Sequence, residues 1–295
     1  MLRRRWFSMA ACSIAAGAAS DEARAQTSGR PAAEPPSRLA AEPLDRLAAE
    51  PLDRLAALRE RGELRACIWP DYYGISARNP RSSELEGLDI DLVKALAARL
   101  GVRLGFVETD FTGFMDRLTQ GDCDVATMAA GITPERARRV AFTRPYLVSG
   151  AYAVTTKGNA RIRAWADIDA AGTVVAVAAG TVIEPLMRRS LRRAELMVVA
   201  PPRTREAELL AGRADVFMTD YPYSRRLMAL HAWVQVLEPP ERFGETPYAW
   251  AVAPGDAAWL AVLNGFLNEA RADGTLERSA ARHGLAPILA PILVR

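Results

Sequence analysis

The stretch from 91 to 129, DLVKALAARLGVRLGFVETDFTGFMDRLTQGDCDVATMA, decides the fold class. Leu92, Val93, Leu96, Ala97 and Leu100 recur at helical spacing, so 91–100 is an amphipathic helix with one apolar face. VRLGFV (102–107) follows as a short strand, a helix is expected around Phe111 to Leu118, and DVATMA (124–129) reads as the next strand. Upstream, LRACI (64–68) is also strand-like, which makes a β-α-β-α-β series. Downstream, a second series runs through strand TVVAVAA (173–179), a helix over Ile183–Leu191, strand ELMVVA (195–200), a helix over Glu206–Ala211, strand ADVFMT (214–219) and a helix over Tyr223–Leu230. Two such series imply two open, mostly parallel sheets flanked by helices. Ligands of such sheets sit beyond the C-terminal strand ends, which are therefore the places to look for chemistry.

The 295 residues carry 38 Lys and Arg against 35 Asp and Glu, which excludes a polybasic nucleic-acid binder and an acidic disordered tail. Residues 1–25 begin with Arg3-Arg4-Arg5, continue through the short apolar WFSMAACSIAAGAA and end in Ala23-Arg24-Ala25, the layout of a secretory signal peptide. Without them 34 basic residues face 33 acidic ones, a net of +1. The octapeptide AAEPPSRL (32–39) returns as AAEPLDRL at 40–47 and 48–55. Pro35, Pro43 and Pro51 each remove a helix donor, so 26–57 reads as a linker, with helix expected only near Leu52–Arg61. In an oxidising compartment Cys67 and Cys123 either pair or remain two buried thiols, and sequence leaves both open. Two scattered His residues offer no metal-ligand spacing, and no cofactor is expected.

Three strand ends carry candidate chemistry. In Gly131-Ile132-Thr133-Pro134-Glu135-Arg136, Thr133 suits a helix N-cap, Pro134 the first helical position, and Arg136 the first turn. Free N–H groups plus a guanidinium fork make an anion clamp, although a capped surface helix accounts for the hexapeptide equally well. Gly180-Thr181-Val182-Ile183-Glu184 has capping-box spacing after an apolar strand. Asp220, after ADVFMT, either receives an ammonium group or caps the helix beginning near Pro222.

Taken together these segments resemble family 3 extracytoplasmic solute-binding proteins, the polar amino-acid receptors of ABC importers. LRACIWPDYYGISARNP (64–80) resembles the first strand and aromatic loop of that family, and LEGLDIDLVKALAARLG (85–101) its G-x-D-x-D-L helix. FTGFMDRLTQGDCDVATMAAGITPERARRVAFTRPYLVSG (111–150) resembles the central signature, and AAGT (178–181), GRADVFMTD (212–220), TPYAWAVAPGD (246–256) and LNEARADGTLERSAARHGL (267–285) follow in order. The resemblance implies an α/β, two-lobed periplasmic-binding-protein-like fold (type II) with two crossover hinge strands. Lobe 1 would comprise 58–150 and 248–295, lobe 2 151–247.

By the same resemblance Arg136 clamps the ligand α-carboxylate, helped by main-chain N–H groups near Gly131, Thr181 and Val182, and Asp220 accepts the α-ammonium. Tyr72 and Phe111 take the aromatic positions around the ligand side chain, although Phe111 also has Phe114 nearby for core packing. Ala129 and Gly131 stand where relatives often carry hydroxyl residues. Trp69 stands where receptors for basic amino acids can carry an acidic one, which argues against a cationic ligand. The implied protein is a periplasmic monomer that delivers an L-amino acid to an ABC transporter permease. Two alternatives stay open: a cyclohexadienyl (prephenate/arogenate) dehydratase-like enzyme on the same scaffold, with Glu184 or Glu245 as general acid, and a ligand-sensing adaptor.

Overall fold

A computed structural model describes residues 53–291. The signal-peptide reading and nearly all of the octapeptide repeat lie outside them. In chain order the first elements are α1 (Arg54–Arg61), β1 (Glu63–Ile68), the short β2 (Ala77–Arg78) and β3 (Leu85–Glu86), α2 (Leu88–Leu100), β4 (Arg103–Glu108) and α3 (Phe114–Gln120). Then come β5 (Val125–Gly131), α4 (Pro134–Ala137), β6 (Ala141–Phe142) and β7 (Leu147–Ser149). A second group holds β8 (Ala151–Thr156), β9 (Val174–Ala178), α5 (Ile183–Ser190), β10 (Glu195–Val199), α6 (Arg205–Leu210), β11 (Val216–Asp220), α7 (Tyr221–Leu230) and β12 (Val234–Leu237). The chain closes with β13 (Thr246–Val252), α8 (Ala257–Ala272) and α9 (Thr275–Arg282).

These elements build two sheet-containing lobes. The first sheet runs β4-β1-β5-β13-β6, with β7 also on β13, and the second β10-β9-β11-β8-β12. Each is partly parallel: β1 pairs in parallel with β4 and β5, and β9 with β10 and β11. The remaining pairs, β13 with β5, β6 and β7 and β8 with β11 and β12, are antiparallel. The expected mostly parallel sheets are thus mixed ones, because the strands that carry the chain between sheets enter against the direction set by the β-α-β units. Every residue of β5 is buried, as expected of a central strand covered on both faces. In the second sheet, Val175, Val177, Val216 and Met218 pack with Ile183 and Met187 under α5, while Ala176 and Phe217 face the other way, with Leu209 and Leu227.

Most boundaries fall within a few residues of the sequence reading, with one informative shift. The helix expected from Phe111 starts at Phe114, because Asp110 accepts from the N–H groups of Thr112 and Gly113 and holds 111–113 as a turn. Phe111 is thereby left in a loop at the strand end. The helix expected near Leu52–Arg61 is α1, which buries Leu58 and whose Arg54 N–H donates to Asp256.

Asp89, the first acid of the G-x-D-x-D-L segment, is fully buried and joins β5, β13 and the loop before β7 to its own helix. It accepts from Tyr146 Oη at 2.6 Å, Trp250 Nε1 at 3.0 Å and the Ala129 N–H at 2.8 Å. Ala129 has φ of 45°, a left-handed conformation unusual for a residue with a Cβ, and Asp89 holds its amide there. Burial raises the Asp89 carboxyl to about 6 against the pull of these donors. A group whose folded value is raised contributes stability below its unfolded value, near 3.8, and loses it as pH rises through about 6. Cys67 and Cys123 form a disulfide with Cα atoms 5.6 Å apart, tying β1 to the loop before β5.

Two predictions follow from these ties. The stability advantage of the wild type over Asp89→Asn, from urea unfolding, should be larger at pH 4 than at pH 7 by about 2 kcal/mol; a gap independent of pH would contradict the buried, raised carboxyl. The bridge spans 56 residues, so Cys67→Ala with Cys123→Ala should lower stability by about 4 kcal/mol on chain entropy. Equal unfolding midpoints with and without reductant would refute it.

Candidate functional site

The C-terminal ends of the parallel strands of both sheets converge on one cavity of about 30 Å³. All nine ligand-binding candidates drawn from sequence line it. The loop after β1 contributes Trp69 and Tyr72, the loop after β4 Phe111, the end of β5 Ala129 and Gly131, and α4 Arg136. From the second lobe, Thr181 and Val182 precede α5, and Asp220 ends β11.

Arg136 arrives there by capping chemistry. Thr133 accepts from the Arg136 N–H at 3.2 Å and Pro134 opens α4, which directs the side chain back over the end of β5. Its guanidinium is buried over the rings of Phe111 and Phe114, 5.3 and 5.4 Å from their centroids. Nη1 donates to the Gly131 carbonyl at 2.9 Å, and Nη2 crosses to the Gly180 carbonyl of the second lobe at 2.8 Å. Burial depresses this guanidinium to about 10, so it keeps its charge at neutral pH.

Asp220 takes the capping role, one of the two that its position suggested. Oδ1 accepts from the Tyr223 N–H at 3.2 Å and so caps α7, while Oδ2 accepts from Tyr248 Oη at 3.0 Å and from Tyr72 Oη. Burial raises its carboxyl, and the donors together with the nearby charge of Arg205 oppose that rise. Tyr72 therefore does more than the aromatic wall expected of it, since its hydroxyl ties the first lobe to the carboxylate of the second. Phe111 meets Trp69, Tyr72 and Phe114 edge-on at 5.5, 5.6 and 6.3 Å, so cavity wall and core packing are one role.

The loop before α5 differs from its capping-box reading. Thr181 Oγ1 donates to Ala178 O at 2.8 Å instead of capping, and its N–H is directed at the same carbonyl. Glu184 does reach back, accepting from the Gly180 N–H at 3.0 Å, and its other oxygen takes Arg188. Glu245 pairs with Arg242. Neither glutamate lines the cavity. The lobes touch closely here: a Cβ on Gly131 would lie 2.6 Å from Val182 Cγ1, and one on Gly180, at φ of 73°, 2.7 Å from Thr112 Cγ2. Only glycine suits that second position.

Five lining residues escaped the sequence reading: Ile183, Arg205, Thr219, Tyr223 and Tyr248. A signal for Arg205 was present. PPRTRE (201–206) follows a strand and sets Arg205 just behind a Thr204 cap, the arrangement that drew attention to Thr133 and Arg136. Tyr223 and Tyr248 had none, being aromatic residues within elements that pattern as core.

Comparison with known proteins agrees with this architecture. The model of the bacterial extracellular solute-binding proteins, family 3, matches residues 64–286. The chain is 29% identical over 220 residues to the cyclohexadienyl dehydratase of Pseudomonas aeruginosa, covering 74% of this chain and 81% of that protein. It is 27% identical over 224 residues to the L-cystine-binding protein TcyJ of Escherichia coli K12, covering 75% and 82%. Among solved structures, the ancestral amino acid-binding protein AncCDT-1, a precursor of cyclohexadienyl dehydratase, superposes with a TM-score of 0.71 at 32% identity, covering 78% of this chain and 98% of that one. The chain belongs to the bacterial extracellular solute-binding proteins of family 3.

Proposed function

We propose that this protein captures a small zwitterion, an L-amino acid, between its lobes and delivers it to the permease of an ABC importer. The observation that carries the reading is that Arg136 and Asp220, buried and of opposite charge, line one cavity from different lobes. A carboxylate exchanged for the carbonyl partners of Arg136 would gain a charge-assisted pair. Asp220 has acceptor capacity left beside its three protein donors for an ammonium group. Most relatives found are amino-acid-binding proteins, among them L-cystine-, arginine- and glutamine-binding ones, which supports the same class of ligand.

The chain passes between sheets at Ser149–Ala151 and returns at Thr246, which supports lobe boundaries near 150/151 and 247/248 with these strands as the hinge. A ligand that bridges Arg136 and Asp220 contacts both lobes only when they are closed, and it favours closure by that difference. The permease would then read the closed form. The extracellular character of the family supports action in the periplasm after removal of residues 1–25, with the monomer as the working unit.

A second reading, dehydration of prephenate or arogenate, is favoured by the relative of that activity. It needs a general acid at the cavity. Glu184 and Glu245 are committed to Gly180, Arg188 and Arg242, which weighs against the two candidates drawn from sequence. Formation of phenylpyruvate or phenylalanine by the purified protein would establish that reading in place of capture.

Micromolar capture needs about −8 kcal/mol. Truncating one partner of a buried pair costs about 2–5 kcal/mol, so Arg136→Ala should weaken amino-acid binding at least tens of fold by calorimetry. Unchanged affinity would remove the clamp. Gly180→Ala, which places a methyl against Thr112 in the closed form, should weaken binding about tenfold, ~1.4 kcal/mol; full affinity in that variant would mean that closure does not bring these loops together.

A further inference from the structure

Arg205 is a second buried guanidinium in the same cavity, and neither the clamp nor the hinge uses it. It opens α6 behind the Thr204 cap, 5% exposed, and lies over the rings of Tyr223 and Phe217 at 4.5 and 5.1 Å. Its one side-chain hydrogen bond among the described residues runs from Nη1 to Met218 O at 3.0 Å. No salt bridge to Arg205 forms among the described residues: Glu208 pairs with Arg203 and Arg213, Asp220 is held by Tyr72 and Tyr248, and Glu206 lines the outer chamber without an ion-pair contact to it.

The cavity lining therefore holds two guanidiniums and one carboxylate. An ordinary zwitterion, with its carboxylate on Arg136 and its ammonium on Asp220, adds no net charge and leaves the largely buried Arg205 without a directly paired carboxylate, a costly arrangement. A second ligand carboxylate would remove that imbalance and meet the planar fork of Arg205.

The surroundings also limit how far that carboxylate can reach. Past Arg205 the cleft opens into a larger chamber of about 440 Å³, sharing Trp69, Phe111, Thr181, Arg205 and Tyr223 with the first. Beside Arg205 its walls carry Asp71, Asp110 and Glu206 against one further guanidinium, Arg203, which is already paired with Glu208. Glu206 Oε1 is buried without a hydrogen-bond partner, and burial together with the charges of Glu108 and Glu206 raises the Asp71 carboxyl. This negative wall repels an anionic group that extends beyond Arg205. We propose that Arg205 receives a second ligand carboxylate, so that the preferred ligand is a short dicarboxylic amino acid. The proposal rests on the zwitterion reading of Arg136 and Asp220.

The test is calorimetry on the mature protein with aspartate, glutamate, asparagine, glutamine, lysine and arginine, backed by a thermal-shift screen of all twenty amino acids. The better acidic ligand should bind at least tenfold tighter than its own amide. Arg205→Met, checked for native circular dichroism, should bring that ratio below threefold, and Arg205→Lys should restore part of it. A structural role for Arg205 would instead weaken acid and amide alike and preserve the ratio, overturning the assignment. So would an amide equal to its acid, or lysine or arginine as the tightest ligand, with the amino-acid reading left standing. Binding of no amino acid at all would overturn both.

Discussion

A guanidinium removed from water must find acceptors, and the way Arg136 finds them organises the middle of this protein. One of its amino groups holds the carbonyl of Gly131 at the end of β5 and the other holds that of Gly180 across the cleft. Those two strand ends are thus brought to one cation. The local requirements follow from it: a Thr cap and a Pro to start a four-residue helix at the right place, aromatic faces under the cation, and glycines where the backbones of the two lobes meet. The same contacts explain why the lobes meet here. A carbonyl is a weaker partner for a cation than a carboxylate, so a carboxylate in place of these carbonyls would pair with Arg136 more strongly.

Asp220 is the counterpart on the other lobe, where one carboxylate holds a helix start and two tyrosine hydroxyls together. One oxygen caps α7 and the other takes phenol hydroxyls from β13 and from the loop after β1. Tyr72 thereby mirrors Arg136: each reaches from the first lobe to a polar group of the second. Behind both stands Asp89, which holds the left-handed Ala129 and anchors β5 to Tyr146 and Trp250. These ties make the strand ends of the first lobe a fixed floor under the cavity.

Much of this was legible in the sequence. The strand and helix periods of 64–129 and 173–230 predicted both α/β series, and all nine candidate residues drawn from strand ends and resemblance line a single cavity. Two kinds of feature escaped. The start of α3 was misplaced by three residues because the Asp110 turn competes with helix at Phe111, a contest that apolar spacing does not register. Tyr223 and Tyr248 were missed because their neighbours in sequence look like ordinary core positions, and only their neighbours in space bring them to the cavity; Arg205 was missed although its Thr204 cap repeats the pattern of Thr133 and Arg136.

The sequence by itself determined what depends on short separations: which segments are strands, which helices cap at Thr133, Thr204 and Asp220, and which side chains stand at strand ends. Tertiary structure decided what depends on chain segments far apart. Tyr72 and Asp220 are 148 residues apart, Arg136 and Gly180 are 44, and the bonded Cys67 and Cys123 are 56. It also decided the balance of charge in the cavity, two guanidiniums to one carboxylate, against a chain whose overall charge is close to zero. The physical reason is that periodicity and capping act over one or two turns of chain, whereas burial and charge pairing are set by whichever groups the folded chain brings within a few ångströms.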